Sequence, residues 1–231
     1  ISDLQVQKEG VELNLPRLQL DKWDKALRIR ASTVPLEPIN AMLSGQEAVP
    51  ETLRSVFAAL HPRGQLSSLQ VRIGDIDQPK ADWNVAANFA AVAVDSFNGA
   101  PGVTAATGYM QLAPGSGIAV LDSQLLTLDF PSIYHEPLHF EDLHGTLHLD
   151  WDAETFRLSS GLLTTKGEEG MARVLFGLNI PLVSNDIGIE MDLLVGLQNS
   201  QPIHRVKYIP YVLDPALQNW LSDSIGEGRI E

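Results

Sequence analysis

The stretch HGTLHLDWDAETFRLS, residues 144–159, alternates apolar and polar side chains on both sides of a polar turn. Leu147, Leu149 and Trp151 alternate with polar residues before the turn, and Phe156 and Leu158 resume the alternation after it. Because successive side chains of a β-strand point to opposite faces, this stretch predicts a β-hairpin with one apolar face.

The same alternation recurs along most of the chain and predicts about eleven or twelve strands, mostly joined by tight turns. Such a series favours an antiparallel meander. The other alternating runs are Val11–Leu15, Leu27 with Ile29, Leu69–Ile73, Trp83–Phe89, Met110 with Leu112, Ile118 with Val120, Leu126–Phe130, Val174–Ile180 and Ile189–Leu197.

Three short helices are predicted between these strands. PLEPINAMLSG (35–45) and VPETLRSVFAALHP (49–62) carry proline near their first turns, and the second has a helical apolar stripe from Leu53 to Leu60. Near the end, Asp214 as N-cap, Pro215 in the first turn and a stop at Gly226 predict a third helix of about eleven residues. These helices are too short to cover the apolar face of so many strands.

We therefore expect four successive regions. Residues 1–33 hold the first strands, 34–63 a helical hairpin, 64–200 the main β-structure and 201–231 a linker helix. The absence of an initiating Met indicates a piece of a longer protein.

Composition excludes several functions. The formal net charge of −13 opposes binding to nucleic acid or to an anionic membrane surface. The chain has no cysteine, so disulfides and thiolate metal sites are excluded. It contains neither a signal peptide nor a run of about 18 apolar residues that could span a bilayer.

Two architectures would satisfy so many one-faced strands. A sandwich or closed barrel would bury the apolar face against itself. A strongly curved open sheet would instead leave that face lining a trough for an apolar ligand. Periodicity alone does not choose between them.

The segment RVKYIPYVLDPALQNWLSDSIGEGRI (205–230) resembles the YhdP branch of the AsmA-like proteins, which are relatives of TamB. In that family a Tyr-x-Pro element precedes a short helix with Trp-Leu that ends in glycine. Matching positions here are Tyr208, Pro210, Trp220, Leu221, Gly226 and Gly228. The opening hairpin resembles a family hairpin through Gly145, Leu147, Trp151 and Leu158, although Phe156 stands where the family often has Trp. The likeness extends from about Leu66 to the end, and the first 60 residues match only in layout.

The resemblance implies a repeating β-groove, polar outside and apolar inside, held in the periplasm between the inner and outer membranes. Such proteins act as lipid-transfer bridges anchored in the inner membrane, and the anchor would lie outside this segment. The implied partners are phospholipid acyl chains, the adjoining repeats and, through free strand edges near Leu4–Leu15 and Ile187–Leu197, further copies of the chain. No cofactor, metal or catalytic group is required.

From the residues and the resemblance together, we expect a mainly β fold: a long, curved antiparallel meander forming an open groove with a few short helices. The alternative is a closed all-β scaffold or interaction domain of the cell envelope. The residues expected to line the groove are Trp83, Val85, Phe89, Met110, Leu112, Leu126, Leu128, Phe130, Leu147, Leu149, Trp151, Phe156, Leu158, Val174, Phe176, Leu178, Met191 and Leu193.

Four histidines with a regular spacing invite a metal-site hypothesis. They are His135, His139, His144 and His148. In a strand, however, a separation of four residues spans roughly 13 Å, which one zinc ion cannot bridge. Solvated histidines on the polar face are the favoured interpretation.

Other chemistry finds little support. The segment APGSGIA around Ser116 does not match the GxSxG motif of serine hydrolases. GDID (74–77) is typical of a turn with two solvated carboxylates. Trp151 and Phe156 flank the hairpin turn, where they are interpreted as a cross-strand packing pair or as a rim that faces the ligand.

Overall fold

A computed structural model describes residues 3–8, 11–43, 57–97, 99–167, 170–183, 188–198 and 209–224. Its strands are β1 (Asp3–Lys8), β2 (Val11–Pro16), β3 (Gln19–Trp23), β4 (Ala26–Pro35), β5 (Arg63–Ile73), β6 (Trp83–Val94), β7 (Gly102–Ala113), β8 (Ser116–Asp129), β9 (Leu138–Trp151), β10 (Thr155–Ser160), β11 (Leu163–Gly167), β12 (Gly170–Pro181) and β13 (Glu190–Gln198). Its helices are α1 (Leu36–Leu43) and α2 (Pro215–Ser224).

Strands β3 to β13 form one large antiparallel sheet, and the prediction of a mainly β, open fold is confirmed. Strands β3 to β9 are neighbours in chain order. Strands β10 and β11 both pair with β9 on one side and β12 on the other, so they are two halves of one broken strand. β13 pairs with β12, and the sheet does not close into a barrel. The predicted hairpin turn after Trp151 is present, with Phe156 opposite Trp151.

The first two strands form a separate two-stranded sheet beside β4. Leu4, Leu15 and the buried Leu18 pack against Ala31 and Val34 of β4. The Ser32 hydroxyl donates a hydrogen bond of 2.8 Å to the Pro16 carbonyl oxygen. This hairpin therefore rests on the first part of the large sheet without joining its hydrogen-bonding ladder.

The register of the large sheet aligns apolar residues across ten strands. Directly paired residues of an antiparallel sheet point to the same face, and the face that carries this row is called the inner face below. From β3 to β13 the row runs through Leu20, Ile29, Val71, Val85, Leu112, Gly117, Leu149, Leu158, Leu178 and Met191.

The long strands change the phase of their alternation at one level of the sheet, which is called the crease below. In each strand two consecutive inward residues are three positions apart instead of two. The crease contains non-glycine residues with positive φ, namely Ser68 (53°), Ala91 (49°), Ala105 (59°) and Leu125 (56°). The inward pairs are Ala31 with Val34, Leu66 with Leu69, Phe89 with Val92, Val103 with Ala106, Ser123 with Leu126 and Phe140 with Leu143.

The strands curve sharply at the crease. A straight strand would place Leu138 and Leu149, the two ends of β9, about 36 Å apart. Leu149 is in register with Leu158 and Leu178, yet Leu138 and Leu178 belong to one buried cluster. Because side chains cannot bridge such a distance, the far ends of β8 and β9 must curl over the inner face, which is therefore concave. β-Bulges bend strands in this way.

The helices follow the sequence signals where they are described. α1 begins after Pro35, and the Glu37 carboxylate accepts a hydrogen bond of 3.0 Å from the Gly64 amide. Residues 57–60 are helical, while the rest of the predicted second helix and its connection lie outside the described residues. α2 confirms the third predicted helix, and the Asp214 carboxylate caps it by accepting a bond of 2.8 Å from the Ala216 amide.

Candidate functional site: the apolar concave face

The inner face has a filled part and an open part. Beyond the crease, Phe89, Leu126, Phe130 and Leu138 are buried, and the loop residues Ile133 and Tyr134 pack onto Leu178. Towards the β7–β8 turn, Val71, Val85, Leu112, Leu147 and Leu149 remain partly exposed. The open part is thus a shallow apolar trough whose far wall consists of the protein's own core.

Three hydroxyl side chains of the inner face form hydrogen bonds with backbone groups. Ser123, with 0% exposure, accepts a hydrogen bond of 2.9 Å from the Thr107 amide and donates one of 3.0 Å to the Thr107 carbonyl oxygen. Thr165 donates to the Asp142 carbonyl oxygen at 2.9 Å, and Ser160 accepts from the Phe176 amide at 2.8 Å. These hydroxyls are hydrogen-bond partners for backbone groups where the strands are irregular, and they are uncharged.

Charged side chains lie on the outer face and at the turns. Every ion pair between described residues joins side chains that are at least 36% exposed, as in Arg30 with Asp21 at 2.6 Å. Hydrogen bonding to Arg30 lowers the pKa of Asp21, and hydrogen bonding to Arg63 lowers the pKa of Asp95. Burial raises the pKa of the Tyr134 phenol. The described residues that line the open trough, Val71, Val85, Leu112, Leu147 and Leu149, are apolar.

Two tryptophans meet at the edge of the trough. The ring centroids of Trp83, at the start of β6, and Trp151, at the end of β9, lie 6.5 Å apart with an interplanar angle of 23°. Gly117 of β8 lies beside the Trp151 ring, and a Cβ there would lie 2.5 Å from Leu112 Cδ2, so the Leu112 side chain would have to shift. The absence of a side chain at Gly117 leaves space for the Trp151 ring, whose Cζ3 lies 3.6 Å from that Cβ position.

All the predicted groove-lining residues lie on the inner face, but in different surroundings. Those buried below a tenth of their surface are Phe89, Leu126, Phe130 and Leu178. The partly exposed ones are Trp83, Val85, Met110, Leu112, Leu128, Leu147, Leu149, Trp151, Phe156, Leu158, Val174, Phe176 and Met191, and Leu193 on the edge strand is 44% exposed. Their assignment to a ligand stays a prediction.

In β8 the apolar alternation does not identify the residues that point inwards. Ile118 and Val120 resemble an inward pair, but they lie opposite His148 and Thr146 and point to the outer face. The inward residues of β8 are Gly117, Ala119, Leu121 and Ser123. Three of them are small and one is polar, so they do not form a recognisable apolar run. An alternation with a period of two does not show which of the two sets of residues faces inwards. The register with Leu147 and Leu149 is needed to assign the face.

The four histidines are spread over the surface and hold different partners. His144 Nδ1 lies 2.9 Å from Asp122 Oδ1, and His139 Nδ1 lies 2.9 Å from Thr127 Oγ1. The His135 ring stacks on Tyr211 with centroids 4.4 Å apart, and His148 is exposed on the outer face. Among the described residues no group of three His, Cys, Asp or Glu side chains is arranged to hold a metal ion.

The turn predicted at GDID has the expected solvated carboxylates. The Asp77 amide donates a hydrogen bond of 2.9 Å to Asp75 Oδ1, and Asp77 pairs with Lys25 at 2.8 Å. Trp151 and Phe156 are directly opposite each other across β9 and β10. This register is the one that a cross-strand pair requires, while the choice between a packing pair and a rim stays a prediction; Trp151 also stacks on Trp83.

Two depressions lie along β11, β12 and β13. One of about 510 Å³ is lined by Thr164, Met171, Arg173 and Leu197 among others, and a smaller one is lined by Leu175, Phe176 and Leu194. Both are shallow and open to solvent. The described helices include none that is long and apolar enough to cross a membrane.

Comparison with known proteins agrees with the resemblance found in the sequence. The profile of the YhdP protein family matches residues 1–231, the whole of this chain. Neither the curated proteins nor the solved structures yield a match. The curved antiparallel sheet and the full-length profile match lead to one conclusion: this chain belongs to the YhdP protein family.

Proposed function

We propose that the concave inner face carries phospholipid acyl chains, as one segment of a periplasmic lipid-transfer bridge between the inner and outer membranes. The observation that carries this proposal is the ten-strand inward row, in which every position is an apolar residue or glycine. A continuous apolar row of this kind offers an extended contact surface to a hydrocarbon chain.

The energetics favour a trough of this character. Withdrawing an acyl chain of about 16 carbons from a bilayer costs roughly 0.8 kcal/mol per CH₂, or about 12 kcal/mol in all. Only an extended apolar surface can offset most of that cost. The family membership and the apolar side chains of the described ten-strand row support such a role.

A transport segment must also release what it holds. The partly exposed positions Val71, Val85, Leu112 and Leu149 offer similar aliphatic contact along the trough. No cluster of Lys or Arg on the described inner face would fix a phosphate there. We therefore expect weak head-group selectivity, with the head group left in water at the open side.

Two matched variants test the proposal. Leu149→Asp places a charge on the open trough, whereas Val120→Asp places the same charge on the outer face, where Val120 is 42% exposed. Mass spectrometry of organic extracts from purified protein should show lipid bound to the wild type and to Val120→Asp, with a several-fold loss in Leu149→Asp. Wild-type protein that carries no lipid after loading from vesicles would overturn the proposal.

A further inference from the structure

The Trp83–Trp151 pair marks the boundary between the apolar trough and the charged turns. On one side of the pair lie Val85 and Leu149, the next inward residues of the same two strands. On the other side lie Asp82 and Asp152, which are exposed. The two rings therefore lie where the surface changes from apolar to fully polar within one residue.

The rings reach each other across two intervening strands. Strands three positions apart in a flat sheet are separated by about 14 Å, while the ring centroids are 6.5 Å apart. The two side chains therefore converge above the inner face, and Trp151 Cζ3 lies 3.6 Å from the Cβ position of Gly117 in β8. The result is a continuous aromatic surface at the edge of the trough, in place of two separate rings at strand ends.

The indole N–H groups of this surface are available. Neither Trp83 nor Trp151 donates a side-chain hydrogen bond to another described residue, and neither indole nitrogen is among the buried atoms that lack a partner. A tryptophan side chain that contacts water on one side and apolar groups on the other is suited to the interface between hydrocarbon and water.

We propose that the Trp83–Trp151 pair is the anchor for the interfacial part of a bound phospholipid. The ring faces cover the ester end of the acyl chains, and the N–H groups donate hydrogen bonds to ester or phosphate oxygens. This inference rests on the proposed function and adds to it the position and orientation of the lipid: ester groups at the β7–β8 edge, and chain ends towards the crease.

Tryptophan fluorescence gives a direct test, because the chain has four tryptophans. Replacing Trp23 and Trp220 with Phe leaves only the pair. The protein is then loaded with phosphatidylcholine brominated either near the ester end or near the methyl end of its chains. We expect the ester-end bromines to quench the pair at least twofold more strongly than the methyl-end bromines.

A matched protein keeps Trp23 alone and carries Phe at positions 83, 151 and 220. Trp23 is 44% exposed and lies under Arg28, whose Cζ is 5.0 Å from the ring centroid, away from the open trough. Neither bromine position should quench it appreciably. This control separates lipid bound in the trough from lipid adhering to the surface.

The outcomes distinguish the two proposals. If mass spectrometry confirms bound lipid but the pair is quenched equally by both lipids, or more by methyl-end bromines, the anchor inference is overturned and the lipid-carrying function survives. If no lipid can be loaded, both fail. A further variant, Trp83→Phe, keeps an aromatic ring but removes one N–H, and it should lower lipid retention by a few fold without changing the melting temperature by more than a few degrees.

Discussion

The Ser123 hydroxyl bridges both polar groups of the Thr107 backbone, accepting from its amide at 2.9 Å and donating to its carbonyl oxygen at 3.0 Å. The Thr107 hydroxyl oxygen in turn accepts a hydrogen bond of 3.2 Å from the Ala91 amide. These bonds connect β6, β7 and β8 at the crease, where the ladder between the strands is interrupted. Two hydroxyl side chains thus replace the missing backbone pairs and allow the sheet to bend.

We expect Ser123→Val to be strongly destabilising. The substitution would leave the buried amide and carbonyl of Thr107 without their partner, at a cost of about 2 kcal/mol or more in the free energy of unfolding. Ser159→Val, at an exposed outward position, should change it by less than about 0.5 kcal/mol. Urea denaturation followed by circular dichroism measures both, and equal midpoints for the two variants would contradict the role given to Ser123.

Two leucines of the inward row should respond differently to truncation. Leu178 is 5% exposed and packs in the cluster of Phe130 and Tyr134, whereas Leu149, two strands away in the same row, is partly exposed. Leu178→Ala should cost about 3 kcal/mol, in the range for a buried leucine, and Leu149→Ala about 1 kcal/mol. Calorimetry in the absence of lipid checks the difference. Equal losses would show that the trough at Leu149 is closed by protein in solution.

A negative charge at Phe176 extends this comparison to the partly filled end of the trough. Phe176 lies on the inner face and pairs with Leu193 of the edge strand. We expect Phe176→Asp to reduce bound acyl lipid while most of the β signal in circular dichroism persists, because water can reach a charge at an open face. Cooperative unfolding of both Phe176→Asp and Leu149→Asp would instead indicate a self-filled core.

Much of this arrangement could be predicted from the sequence, and the reasons for the rest are physical. Alternation located the β9–β10 hairpin and most inward residues, and capping signals at Asp214 and Pro215 located α2. The crease was not predictable, because a step of three between inward residues such as Ser123 and Leu126 resembles the end of one strand and the start of the next. Neither was the contact between Trp83 and Trp151, which depends on two intervening strands and on Gly117.

The β9–β10 turn should depend on pH through Asp152. Its carboxylate accepts hydrogen bonds from the Glu154 and Thr155 amides, both at 2.8 Å, and these bonds lower its pKa from the ordinary value of 3.8. A pKa lowered in the folded state gives a stabilisation that is fully present above the unfolded-state pKa and is lost as the pH falls through the folded-state pKa.

Carboxyl carbon shifts measured by NMR should therefore give Asp152 a lower titration midpoint in the folded protein than in an unfolded peptide of residues 150–157. The difference in stability between wild type and Asp152→Ala should be constant near neutral pH and should shrink below about pH 4. Coincident midpoints in protein and peptide would show that the turn is not formed around this carboxylate.

The edge strand β13 should make the 231-residue chain associate with itself. Within the described residues β13 pairs only with β12, and its other edge leaves a row of backbone groups without a strand partner. Apolar side chains are exposed on both of its faces, with Leu194 at 67%, Val195 at 45% and Leu197 at 42%. Long apolar edges of this kind pair readily with other strands, whereas lysine on an edge discourages pairing.

Size-exclusion chromatography with light scattering should show concentration-dependent dimers or longer chains for the wild type and mainly monomer for Leu194→Lys. Leu182→Lys, a change at a 55% exposed leucine just after β12, is the matched control and should associate like the wild type. A wild-type chain that stays monomeric at millimolar concentration would show that β13 is covered in solution by another part of the same molecule.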